Sequence, residues 1–415
     1  MSLRNWHAAY TGLIARLDSY GRDARWTLCG MGACVDAMLS LHDTVPTLLA
    51  WGDQEAGALG QELSRRAAAG IGGEIRVRWD AGPAWLDAAF SPEKGLGGTG
   101  PHAARALTAL GAPALLALGH RDAEQMACLD GDIFLAEHGS PVRAADIVPG
   151  GMPRPKIYIF EFTAGRPVGG GGAVAPRSSR VIVRFTDPEL EDDPEFERVS
   201  VALGARAGAG VLSGFNAIGG GNLDQALDHC RALALGWRNA AVPVVHLEMA
   251  GYDTPTLRDR VLEGLRGAVT SVGFSQSEYR ALVPGAAPET ATIIKTARRL
   301  QVDRLCIHAD TWALAATRAD PEQERDALMT GCLLASTRAA RGRPARPEAL
   351  PAGAVFQAPP VDGRSDDWSV VSCAAPYLPH PATTLGLGDT FLAGCLLVLG
   401  HPDRRETGEI PRGVA

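Results

Sequence analysis

The chain is predicted to fold as an α/β protein, a three-layer domain on a largely parallel sheet carrying a smaller β-rich unit. Short apolar runs of strand length recur at 26–30 (WTLCG), 113–119 (PALLALG), 208–214 (GAGVLSG), 242–248 (VPVVHLE), 269–274 (VTSVGF) and 304–308 (RLCIH). Between them lie amphipathic stretches of helix length, such as LDQALDHCRALALGW and TLRDRVLEGLRGAV. Strands alternating with helices on this scale imply right-handed βαβ units and parallel pairing.

Two regions break the alternation. One runs from about 45 to 97 and includes GGEIRVRWDAG; the other is PKIYIFEFTAGRPVGGGGAVAPRSSRVIVRF, two alternating strands around a glycine-rich loop, and so a hairpin. Together they form the small unit. Residues 1–44, 98–150 and 187–415 are assigned to the large domain, and 45–97 and 151–186 to the small one. The Pro- and Arg-rich stretch 340–353 reads as a solvated loop.

With 415 residues, 46% hydrophobic and 21% charged, the chain has a globular balance and room for more than one domain. Its net charge of −7, from 40 basic and 47 acidic residues, leaves no basic excess for nucleic acid, so none is expected as a partner. The eight cysteines include no CxxC pair, and residues such as Cys306 and Cys395 sit in apolar runs, as reduced core residues do. The N-terminal segment has the pattern of an amphipathic helix, and no apolar run reaches membrane-spanning length. A cytoplasmic protein with no membrane partner is the expectation.

Ligands of open parallel sheets bind outside the carboxyl ends of the strands. Those ends are polar here: His246 and Glu248, Ser275 to Glu278, Ser213 with Asn216 beyond, and His308 with Asp310. Singly, each is the ordinary polar residue of a loop or cap; together they line one sheet edge. The sharpest segment is PATTLGLGDTFLAGCLLVLG at 381–400. Gly386 and Gly388 permit a tight turn, and the apolar run from Phe391 supplies a helix whose free N–H groups can hold an anion. Asp389 at that helix start either caps the helix or takes a proton from a hydroxyl attacking a bound phosphate.

TTLGLGDTFLAG resembles the closing motif of ribokinase-like kinases, in which the aspartate is the catalytic base and the glycines form an anion hole. Further segments resemble the ADP-dependent glucokinase/phosphofructokinase family: GMGACVDAM, GLGGTGPHAARALTALG, IYIFEF with SSRVIVRF, and VVHLEMA, in the family's order from residue 30 to 395. The resemblance implies a ribokinase-like, Rossmann-like three-layer α/β domain with a smaller β-rich lid. It implies Asp389 as general base, with Gly386, Leu387 and Gly388 donating to the phosphoryl group and Arg180 clamping phosphate. It further implies Mg²⁺ held largely through water by His246 and Glu248, with Glu278 in the same region. Asp36, Gly98, Thr99 and Gly100 would bind the acceptor, joined by Glu74, and the adenine would lie near His308 and 373–384.

Each residue has a plainer alternative. Asp36 reads equally as the cap of a helix DAMLSLH, Arg180 as an exposed hairpin residue, Glu74 as a solvated strand residue, and Gly98 to Gly100 as a turn before a helix. Lys156 and Arg177 are either contacts for a sugar's phosphate or solvated side chains. One position departs from the family: Ser275 stands where an asparagine is expected three residues before Glu278, which puts the metal arrangement in question. The implied reaction takes ADP to AMP with a sugar or sugar phosphate as acceptor. An ATP-dependent kinase of the wider group and a catalytically weakened binding protein are the alternatives.

Overall fold

In a computed structural model of the chain, residues 3–169, 172–187, 189–218, 221–285, 289–360 and 362–401 are described. The six short apolar runs read above as strands all pair in a single eleven-stranded sheet. Its parallel centre runs, in spatial order, Phe134–Glu137, Ala114–Leu116, Trp26–Cys29, Ala207–Leu212, Val244–Glu248, Ser271–Ser275 and Arg304–His308. Antiparallel strands extend it: Ser140–Arg143 at one side, and Trp312–Thr317, Trp368–Ala374 and Gly363–Ser365 at the other.

The central strands are apolar on both faces because helices cover both. Residues of Pro194–Ala202, Leu223–Asn239, Pro255–Leu265 and Thr290–Leu300 pack in one core layer. Thr99–Thr108, Pro321–Arg341 and Leu387–Leu399 fill the opposite layer. From Trp26–Cys29 the chain builds outward first to Ala114–Leu116 and later to Ala207–Leu212, so the strand order reverses there and leaves a crevice at the carboxyl ends.

A second sheet of five strands has the order Gly73–Arg76, Ser179–Arg184, Lys156–Phe162, Cys34–Ser40 and Glu93–Gly97. Its centre includes the expected hairpin, with Tyr158 opposite Val183; Gly170 and Gly171 of the connecting loop lie outside the described residues. Cys34–Ser40, assigned from sequence to the large domain, belongs to this sheet, pairing parallel to Lys156–Phe162. The expected helix start at Asp36 is absent as well. Alternation decides this segment, and the helix begins at Leu41, where Ser40 Oγ accepts from Asp43 N at 3.4 Å. The stretch read as β-rich also supplies the helices Gln54–Ala68 and Gly82–Phe90. Their apolar residues cover one sheet face, with Tyr158, Phe160, Phe162, Val181 and Val183. The opposite face carries Ile157, Ile159 and Ile182, packed with Leu385 of the large domain, and this face meets the crevice.

Candidate active site

The transfer turn is built by backbone first. Gly386 adopts a left-handed conformation (φ 65°) that glycine takes without strain, and the helix Leu387–Leu399 starts from it. Asp389 therefore falls in the first helical turn, beside N–H groups that have no partner within the helix. It does not cap the helix, whose N-cap is Gly386. Burial raises its carboxyl above the usual range, opposed by a hydrogen bond from Thr99 and by the charges of Arg338 and Arg180. Such an environment makes a carboxylate a better base than in water.

Thr99 comes from the neighbouring helix of the same layer. Gly98 (φ 99°) turns Glu93–Gly97 into the helix Thr99–Thr108, delivering Gly98, Thr99 and Gly100 to the site. On the neighbouring strand Asp36 points the same way, almost wholly buried, and a side chain at Gly97 would collide with its carboxyl. Burial pushes Asp36 up to about 7, with Cys34, which donates to it at 3.5 Å, pulling the other way.

The polar strand ends form one cluster. Glu248 accepts from His246 Nε2 at 2.9 Å and lies 3.4 Å from His308 Nε2. Burial alone would hinder its ionisation, but the two imidazoles outweigh that and hold Glu248 at about 2; Glu248 in return raises His308, against burial, to about 9. Arg304, paired with buried Glu324, donates to Ser271 Oγ at 3.3 Å, and Ser271 lies 2.8 Å from His246 Nδ1. The Glu248 carboxylate only accepts, so Nε2 carries the proton of the His246 ring, which burial keeps neutral, and Nδ1 accepts the Ser271 hydroxyl proton. Both ring nitrogens of His246 are thus held by protein partners. His308 sits beside Gly388, with its ring 5.1 Å from that of Phe391.

Glu278 and Ser275 form a capping box at Gln276–Leu282: Ser275 N donates to Glu278 Oε2 at 2.7 Å and Glu278 N to Ser275 Oγ at 3.3 Å. Burial lifts Glu278 to about 7, and the charge of Glu248 adds to the shift. Among the described residues no three His, Cys, Asp or Glu side chains form a direct ligand set. Two carboxylates close enough to repel each other nevertheless fit a hard divalent ion that keeps most of its water.

The small sheet closes the site. Arg180 donates to the Thr384 carbonyl at 2.8 Å, with its Nε buried and without a hydrogen bond. Glu161 accepts from Thr383 Oγ1, Thr384 N and Thr384 Oγ1 at 3.0–3.1 Å. Glu74 is no solvated strand residue: it pairs with Arg184 and accepts from Asn216 Nδ2 at 3.2 Å. Lys156 projects to the sheet face away from Asp36, against Asp87 and Glu124, while Arg177 lies 3.8 Å from Asp310.

Sequence reasoning missed Arg338, His102, Glu161, Ser271 and Arg304. Arg338 did leave a signal, since it continues the buried stripe Ala327, Gly331, Leu334 of its helix, where a charge is out of place.

Residues 27–398 match the model of the ADP-specific phosphofructokinase/glucokinase conserved region, and the chain belongs to that family. An ADP-specific phosphofructokinase of Thermococcus zilligii is 25% identical over 277 residues, 57% of this chain and 60% of the relative's length. The matched stretch thus spans less than two thirds of that relative. Among solved structures, an ADP-dependent kinase in complex with fructose-6-phosphate and ADPβS superposes with a TM-score of 0.76 at 17% identity, covering 96% of this chain and 99% of the other. A hypothetical ADP-dependent phosphofructokinase from Pyrococcus horikoshii OT3 gives 0.72 at 18% identity, over 91% and 98%. At these identities the superpositions establish the fold. No helix among the described residues is long and apolar enough to cross a membrane.

Proposed function

We propose that the chain is an ADP-dependent carbohydrate kinase, moving the terminal phosphoryl of ADP to a hydroxyl of a sugar or sugar phosphate and releasing AMP. The observation that carries this reading is the convergence of Asp389, the Gly386 turn and the acceptor residues Asp36 and Thr99 in one crevice. Membership of the family supports it.

In this mechanism Asp36, Thr99 and the backbone of Gly98 and Gly100 orient the acceptor hydroxyl. Asp389 takes its proton as the oxygen attacks phosphorus in line, and the bond to the leaving AMP oxygen breaks. The N–H groups of Leu387 and Gly388, with the helix dipole, meet charge on the transferring group, and Arg180 adds a planar cation. A divalent ion, proposed as Mg²⁺ and held through water by Glu248 and Glu278, would neutralise charge on the donor phosphates. The five-stranded sheet acts as the lid, excluding water as a competing acceptor. Eight free cysteines suit a reducing cytoplasm.

The test is phosphoryl transfer with Mg²⁺, offering ADP and ATP separately against sugars, sugar phosphates and nucleosides. Acceptor-dependent AMP formation is the expected result. Turnover with ATP alone would overturn the donor assignment. Nucleotide binding without turnover by either donor would overturn the enzyme reading.

A further inference from the structure

We propose that Arg338 is a positioning residue that ties the phosphoryl-transfer turn to the acceptor carboxylate Asp36 through His102. Arg338 is 4% exposed and sits on Pro321–Arg341, the helix packed against Leu387–Leu399. Its guanidinium lies flat beneath Gly386, where a Cβ would come within 2.5 Å of three guanidinium atoms. So Gly386 serves a second purpose besides its backbone angle: it admits a buried cation directly behind the anion hole.

Toward the turn, Arg338 Nη1 donates to Thr390 Oγ1 at 3.0 Å, and Thr390 Oγ1 donates onward to the Gly386 carbonyl at 2.8 Å. The main-chain N–H of Thr390 reaches the same carbonyl at 3.0 Å. A trans peptide is planar, so drawing the Gly386 carbonyl into the helix turns the Leu387 N–H outward, to where the phosphoryl group is proposed to bind. The arginine thus aims an anion-hole donor without touching substrate.

Toward the acceptor, Arg338 Nη2 lies 3.2 Å from His102 Nδ1. Because the guanidinium can only donate, Nδ1 must accept, and the imidazole proton belongs to Nε2. That atom has no hydrogen-bond partner, although His102 is 3% exposed, and it lies 3.9 Å from Asp36 Oδ2. A buried donor held just outside hydrogen-bond range of the acceptor carboxylate is costly unless it is used. A shift of Asp36 onto a bound hydroxyl would bring the two together. A lysine cannot replace the fork, since its single nitrogen cannot serve Thr390 and His102 in one plane.

The test uses the full chain in two independent measurements. Nitrogen-15 NMR of histidine-labelled protein, with the His102 signals assigned by their loss in His102→Gln, reads the tautomer and needs no turnover. A neutral ring protonated at Nε2 near pH 7 is expected; a proton on Nδ1 overturns the proposal. The kinetic part rests on the kinase reading. In Arg338→Lys, kcat should fall by about 100-fold, the scale of losing one anion-hole donor, with KM for ADP within about threefold of wild type. An unchanged kcat overturns the positioning role. If Arg338→Lys does not fold, His102→Gln decides: KM for the acceptor should rise by about tenfold, and an unchanged value overturns the link to Asp36. Should wild type itself not turn over, the kinase reading has failed, and the tautomer alone judges the arrangement.

Discussion

The carboxylate of Glu161, on the small sheet, accepts the main-chain N–H of Thr384 at 3.0 Å, two residues before the turn that opens the transfer helix. Both Thr383 and Thr384 hydroxyls converge on the same oxygen, and the guanidinium of Arg180, on the neighbouring strand, donates back to the Thr384 carbonyl. The small sheet is therefore tied, through a few polar contacts, to the segment that leads into the turn at Gly386.

Removing that tie should loosen the hold of the small sheet on the large one. Glu161→Ala leaves three donors unanswered, and hydrogen bonds to a charged group are each worth about 1.5–3 kcal/mol. KM for the acceptor should rise by about 10- to 100-fold, and small-angle scattering should show a larger radius of gyration with ligands present. An unchanged radius and unchanged KM would exclude the clasp.

Asp389→Asn preserves size and hydrogen bonding but cannot accept the proton. Turnover should drop by about 10²- to 10⁴-fold while nucleotide affinity by calorimetry stays within about threefold. Wild-type turnover in this variant would exclude Asp389 as the base.

Asp36 gives a pH signature. Its carboxyl moves from an ordinary 3.8 to about 7 in the folded chain. The folded state therefore holds more protons than the unfolded one between those values, and stability falls as pH rises through that window, by on the order of 4 kcal/mol. Asp36→Asn should flatten the melting-temperature profile from about pH 4 to 7 and melt higher than wild type at neutral pH. A parallel profile in the variant would exclude burial of Asp36 as the source.

At the polar cluster, Glu248→Gln should lower activity in a way that added Mg²⁺ partly restores. Ser271→Ala takes away the hydroxyl at His246 Nδ1 and should reproduce the same metal dependence more weakly, by about threefold to tenfold. Activity indifferent to Mg²⁺ in both variants would exclude the cluster from metal binding.

Ser275→Asn exchanges one good N-cap for another, so the fold should hold. With the amide restored, kcat should stay equal or rise in an Mg²⁺ titration. A large loss would mean the site has been rebuilt around the serine and its capping partner Glu278.

The transfer turn was legible in the sequence because its chemistry is local. Glycines, a carboxylate and an apolar helix in one short segment set the turn, the free N–H groups of the helix start and the carboxylate beside them, as they stand at Gly386 to Asp389. The central strands were legible for a similar reason, since an apolar run bounded by turns carries its own pairing preference. Asp36 was half legible. Its segment reads as the start of a helix, and only the pairing of Cys34–Ser40 with two neighbours makes it a strand, a long-range contact that local propensity does not encode.

What tertiary structure alone decided is how distant charges are shared. Arg338 lies 52 residues from Thr390 and 236 from His102 along the chain. Glu161 and Thr384 are separated by 223 residues, and Ser271 and His246 by 25. In sequence each of these is an ordinary polar residue. In the fold, burial removes water, and a group without water must find its partner in whatever element packs opposite. That partner follows from how the layers stack, which residue type and spacing leave open.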